Sequence, residues 1–245
     1  MPLRTPTNTP LSSMGTLSAK EITASNANFM SKVYLWMAGG VSLSATIAFF
    51  VADSPAIATT IITNKFLFYA LFIGQLAAVL SFSLLLHRVS VAGAISLYVI
   101  YCILSGLTLS IIFFAFTLGS IGQAFAITSF MFAGLSIFGF VTKIDLKVVG
   151  TFCMCALWGL IGFALLSFFI PSLMSSQASW IYSIVSVIIF SGLTAYDTQK
   201  IKQFNSVEFG QNENTQKGAI YGALTLYLDF INLFLSLLRL TGKRR

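Results

Sequence analysis

The chain has 245 residues, of which 57% are hydrophobic and only 9% charged, whereas a soluble domain carries about 25% charged residues to cover its surface. The fourteen bases and seven acids give a net charge of +7. The bases flank apolar runs instead of forming a stripe, which excludes nucleic acid as a partner and marks them as topology determinants in a lipid bilayer.

Residues 1–31 are polar, rich in Ser and Thr, and contain Pro2, Pro6 and Pro10. They lack the apolar stretch of a secretory signal and read as a disordered cytosolic tail. Ser18-Ala-Lys-Glu21 fits a capping box, so a helix that runs into the first span is expected to begin there. Residues 32–242 then form the transmembrane domain, and 243–245 a basic tail.

A span needs about 20 apolar residues to cross a hydrocarbon core of about 30 Å. The expected spans are 33–52, 66–86, 92–113, 120–141, 149–170, 179–203 and 218–240. The chain stays apolar from Val89 to Leu118, so the third span admits more than one boundary. The fold class is therefore all-α, a polytopic membrane protein of seven helices.

With the N-terminus inside, the inner segments carry Arg4, Lys20, Lys32, Arg88, Lys143, Lys147, Lys200, Lys202 and Lys217, and the loops between spans on the other side carry only Lys65. Arg239, Lys243, Arg244 and Arg245 run against this asymmetry if the seventh segment crosses fully. They would conform to it if that segment were re-entrant. Length favours a full crossing.

Cys102, Cys153 and Cys155 all lie within apolar runs, and the last two, two apart on a helix, point to different faces. They read as small core hydrophobes. No CxxC, no HExxH and no phosphate-binding glycine loop is present, and no cofactor is expected.

Five of the acids fall in the tail or loops. Asp197 and Asp229 do not. Asp229 lies mid-span in Ala223-Leu-Thr-Leu-Tyr-Leu-Asp-Phe-Ile-Asn-Leu-Phe-Leu235, where an isolated ionised carboxylate costs several kcal/mol. Gly222, Thr225, Asp229, Asn232 and Ser236 recur at spacings of three and four, and so form one polar stripe that should face the bundle interior. Asp197 closes the sixth apolar run. The two carboxylates are symmetric about residue 213, the centre of the polar stretch Glu208–Gly218, so an antiparallel hairpin would bring them level. Counted from the other ends of their spans, Asp197 is about seven residues deeper, or roughly 10 Å at helical rise, a difference that tilt or bending must absorb.

Two carboxylates a few ångströms apart in low dielectric do not readily both ionise and would share a proton. Removing that proton leaves a dianionic site suited to a hard cation such as Ca²⁺. A catalytic dyad would look the same. Tyr196-Asp197 matches the first motif of intramembrane aspartyl proteases, but the expected Gly-x-Gly-Asp reads Leu226-Tyr-Leu-Asp229, and no Pro follows Pro171. A non-enzymatic role is therefore expected.

Ser191-Gly-Leu-Thr-Ala-Tyr-Asp-Thr-Gln-Lys-Ile-Lys202 and Tyr221-Gly-Ala-Leu-Thr-Leu-Tyr-Leu-Asp-Phe-Ile-Asn-Leu-Phe-Leu-Ser-Leu-Leu-Arg239 together resemble the Bax inhibitor family, in its bacterial branch. The resemblance implies a pH-sensitive Ca²⁺ leak in a bacterial inner membrane, with the last helix wrapped by the other six. It implies that Asp197 and Asp229 are the ion- and proton-binding pair, and that Arg88 at the end of the second span latches onto them in the closed state. Other members of such a family regulate by binding a membrane-anchored protease or other membrane proteins, which implies the alternative of a non-conducting regulator.

Overall fold

The computed structural model describes residues 19–85, 88–207 and 212–245. Nine α-helices are described: α1 Ala19–Asp53, α2 Pro55–Thr63, α3 Lys65–Leu85, α4 Val91–Leu109, α5 Ile112–Ala115, α6 Leu118–Val141, α7 Lys147–Phe169, α8 Ser176–Val207 and α9 Asn212–Thr241. Residues 19–31, expected as tail with a helix start at Ser18–Glu21, belong to α1. Helix breaks occur where local chemistry supplies an alternative to the helical ladder. Pro55 opens α2 immediately after α1, and Pro171 begins the 3-10 turn that follows α7. The apolar run Val89–Leu118 is divided by caps: Ser90 accepts from the Gly93 amide at the start of α4, and Thr117 from the Ser120 amide at the start of α6.

Six helices are long and apolar enough to cross a membrane, and α3 contributes a shorter apolar stretch, Tyr69–Phe82. This is an integral, multi-pass membrane protein. Its exterior is what only lipid tolerates: Phe66, Phe130, Val148 and Phe169 are each about four-fifths exposed. Helix α9 is the centre of the bundle. Its apolar window is 56% buried, against 17% for α7, and it packs directly on α1, α4, α6 and α8. Helices α3 and α7 are outlying members, resting chiefly on α4 and α8 respectively, so the wrapping of the last helix is done mainly by four neighbours.

The last segment is long and apolar enough to cross completely. At about 1.5 Å per residue the 30 residues of α9 reach about 45 Å, and the chain beyond it meets the opposite ends of other helices. Arg244 forms an antiparallel bridge with Phe116, the Thr117 amide donates to the Lys243 carbonyl at 3.1 Å, and the Arg245 amide to the Ala115 carbonyl at 3.1 Å. A re-entrant segment, the alternative that charge favoured, would leave these residues at the other end.

Close approaches between helices rest on small residues, since lipid gives apolar side chains no incentive to leave it and backbone proximity supplies the attraction instead. Gly139 of α6 lies against the Ala195 backbone of α8, and Gly150 of α7 lies under the ring of Tyr196. A methyl group at Gly139 would overlap the Ala195 carbonyl, a neighbour that cannot rotate away. We therefore expect Gly139→Ala to destabilise the folded protein by about 1–3 kcal/mol, read as a lower Tm in detergent. Gly134→Ala, on the same helix with open space around it, should be neutral or slightly stabilising. Equal Tm values for the two variants would contradict the packing described.

Candidate functional site

The motif 191–202 has a structural use at nearly every step. Gly192 lets α8 approach Cys153 of α7, where an added Cβ would lie 2.5 Å from its sulfur. Tyr196 seats on Gly150. Gln199 donates through Nε2 to the Ile144 carbonyl at 2.8 Å and accepts from the Leu146 amide at 2.9 Å, tying the α6–α7 connection to α8. Lys202 donates to the Phe140 carbonyl at 2.8 Å, in the last turn of α6, where a cation complements the helix dipole. Held by α6, α7 and the connection between them, α8 packs Asp197 against α9.

On α9, Gly222 removes the side chain that would meet Ile201, at 2.8 Å from a Cβ, and the two helices close. Asp197 and Asp229 are buried, 7% and 4% exposed, and their carboxyl groups face each other within hydrogen-bonding reach. The two carboxyls meet as expected, but not about residue 213, which lies within α9; α8 ends at Val207 and α9 begins at Asn212. At the far end α8 begins at Ser176, and Arg239, near the end of α9, reaches to 6.0 Å from the Tyr182 ring.

The pair lines a cavity of about 410 Å³ between α3, α7, α8 and α9. Thr225 and Asn232 of the polar stripe line it too, together with Gln75 and Tyr101 from α3 and α4. The Asn232 amide nitrogen donates to the Leu228 carbonyl at 2.8 Å. That of Gln75 donates to the Leu104 carbonyl at 3.0 Å and contacts the Thr108 hydroxyl. The amide oxygens are thereby left as acceptors. Asp229 Oδ2 is buried without a hydrogen-bond partner among the described residues. The site thus offers two acidic oxygens pairs and several neutral ones to whatever neutralises it, a proton or a cation. Among the described residues no group of three or more His, Cys, Asp or Glu side chains converges.

The remaining expected residues separate. Gly222 serves the α8–α9 approach, and Ser236 is buried but donates to the Asn232 carbonyl of its own helix at 2.7 Å. Arg88 is exposed in the turn between α3 and α4, and no ion pair joins it to either aspartate among the described residues.

Residues 26–245 match the family described as inhibitor of apoptosis-promoting Bax1. The chain belongs to the Bax inhibitor family. It is 41% identical over 218 residues to the inner membrane protein YbhL of Escherichia coli K12, covering 89% of this chain and 92% of the relative. An uncharacterised protein of Borreliella burgdorferi is 38% identical over 230 residues, covering 94% of this chain and 97% of that one. One of Deinococcus radiodurans is 38% identical over 216 residues, with coverages of 88% and 90%.

In this Bax inhibitor family member, sequence reading passed over a second buried polar set on the opposite side of α9. The Tyr227 hydroxyl donates to Ser105 Oγ at 2.8 Å and lies 2.8 Å from Ser44 Oγ, which donates to the Cys102 carbonyl at 2.7 Å. It ties α1, α4 and α9 together. Gln75 and Tyr101 were also missed, although a glutamine within the apolar run 66–86 was itself a signal. The anchoring of α8 by Gln199 is open to test. Gln199→Ala removes both bonds to the α6–α7 connection and leaves the buried Leu146 amide unpaired, at a cost of about 1–3 kcal/mol. Faster hydrogen exchange at Leu146, with exchange in the middle of α9 unchanged, is the expected result.

Proposed function

We propose that this protein is a proton-regulated leak pathway for Ca²⁺, with Asp197 and Asp229 as the groups that exchange a proton for the cation. The observation that carries this reading is a pair of buried carboxyls facing each other in a membrane interior, one of whose oxygens is unpartnered, at a cavity supplied with neutral oxygen donors. Evolution has no packing reason to hold two acids together in low dielectric. Their mutual repulsion must be relieved by a proton or a cation.

A hard cation of the Ca²⁺ class takes six to eight oxygens at about 2.3–2.6 Å. Both carboxyls, with the amide oxygens of Asn232 and Gln75 and the Thr225 hydroxyl, supply part of such a set, and water supplies the rest. Two acids without a third give a weak, transient site, which suits passage better than storage. The apolar cluster of Leu160, Phe190, Leu193, Leu233 and Leu237 packs between the pair and the Arg245 end, so the conformation described is closed on that side. In this conformation Arg88 is not engaged as a latch.

The chemistry fixes the sign of the pH effect. A proton and Ca²⁺ compete for the same oxygens, so cation occupancy rises as pH rises and falls as the pair is protonated. We further propose that the protein resides in a bacterial inner membrane with its N-terminus inside, on the strength of the Lys and Arg asymmetry of its connections.

Purified protein in liposomes loaded with a Ca²⁺ indicator should pass Ca²⁺ at a rate that varies with pH. Asp229→Asn and Asp197→Asn should each flatten that dependence. Wild-type flux no greater than that of empty liposomes would overturn the proposal and promote the reading as a non-conducting regulator.

A further inference from the structure

The last residues of the chain create a second polar feature, at the opposite end of α9 from Asn212 and remote from the carboxylates. Arg239, Arg244 and Arg245 line one cavity of about 630 Å³, together with Ser179 and Tyr182 at the start of α8. We propose that this cavity is a receptor for the phosphodiester headgroup of an anionic phospholipid.

The arginines are placed by backbone, not by accident of side-chain conformation. The bridge between Arg244 and Phe116 and the bonds from Thr117 to Lys243 and from Arg245 to Ala115 fix the segment on both sides. The Lys243 amide donates in addition to Ser120 Oγ at 3.0 Å. Arg239 extends from the last turn of α9 over the Tyr182 ring. Three arginines thereby border one space. Among the described residues no carboxylate forms an ion pair with any of them. Asp53 shares a smaller neighbouring cavity of about 220 Å³ with Arg245 and does not come within ion-pair distance. The first turn of α8 adds the positive end of its dipole.

An anion is what such a site lacks, and the guanidinium fork matches the paired oxygens of a phosphate. A lipid source is favoured over a dissolved one by the apolar part of the same wall. Phe116, Ala164 and Met174 line the cavity. Leu165, Leu166 and Phe169 are exposed on α7 beside it, and Trp180 is exposed in the first turns of α8, as expected where a bundle meets the headgroup layer. A headgroup held by the arginines would lay its acyl chains along this surface. The site also accounts for three of the four bases placed against the charge asymmetry of the rest of the chain.

The test uses the full chain in nanodiscs of phosphatidylcholine with and without phosphatidylglycerol, read by native mass spectrometry and by Tm. Wild-type protein should retain phosphatidylglycerol selectively and gain in Tm. The triple variant Arg239→Gln, Arg244→Gln, Arg245→Gln should bind it roughly tenfold more weakly, with an unchanged Tm in phosphatidylcholine alone. Equal retention by wild type and variant overturns the proposal. So does a Tm gain from inorganic phosphate in phosphatidylcholine discs equal to that from phosphatidylglycerol, which would make the occupant a dissolved anion. If the variant does not fold, wild-type selectivity decides: preferential retention of phosphatidylglycerol that weakens as salt is raised supports the site, and absence of preference overturns it.

Discussion

Two carboxyl groups in the interior of a membrane bundle can be tolerated only if each finds something to neutralise it, and here each faces the other, with Lys200 on the Asp197 side as the neighbouring cation. That requirement organises the molecule. Asp229 must be shielded from lipid, so α9 occupies the centre, and Asp197 must meet it, so α8 must lie against α9 at a fixed level. The register is then held by contacts that have no polar chemistry of their own: Gly222 against Ile201, Gly192 against Cys153, and Tyr196 on Gly150.

The wider packing follows the same economy of small residues and short polar ties. In water, burial of leucine and phenylalanine would assemble these helices. In lipid it does not, and close backbone approach and internal hydrogen bonds take over. Gly139 against the Ala195 backbone, Gln199 across the α6–α7 connection and Tyr227 between Ser44 and Ser105 are three forms of one solution. Each joins helices distant in sequence, and each satisfies polar groups that the bilayer would leave bare.

Much of this was legible in the sequence. Apolar runs separated by charge located most of the helices to within a few residues, because bilayer thickness imposes a length that no other environment does, but α1 and α9 extend well beyond the expected starts of their spans. That Asp197 and Asp229 would meet was legible from their places on consecutive helices, although the residue taken as the centre of the connection, 213, lies within α9. What stayed hidden has physical causes. The break after Leu109 lies in a run that never ceases to be apolar, so only the C-cap at Ser110 and the N-cap at Thr117 mark it. Gln75 and Tyr101 reach the cavity from helices whose rotation periodicity could not fix, since a helix with lipid on one side and protein on the other is apolar on both. The bridge between Phe116 and Arg244 joins positions more than a hundred residues apart, and no local pattern announces it.

The central position of α9 has a consequence for how the protein is made. The most enclosed helix is also the last in the sequence, so the earlier helices enter the membrane before the element that fills their centre exists. Until it arrives, Asp197 has no carboxyl opposite it, and the faces of α1, α4 and α6 that α9 will cover are open to lipid. A hairpin of α8 and α9 entering together would let each acid mask the other during insertion. A chain that stopped short of α9 would leave a vacant, partly polar seat in the middle of the bundle, a defect that membrane quality control could recognise by its failure to close.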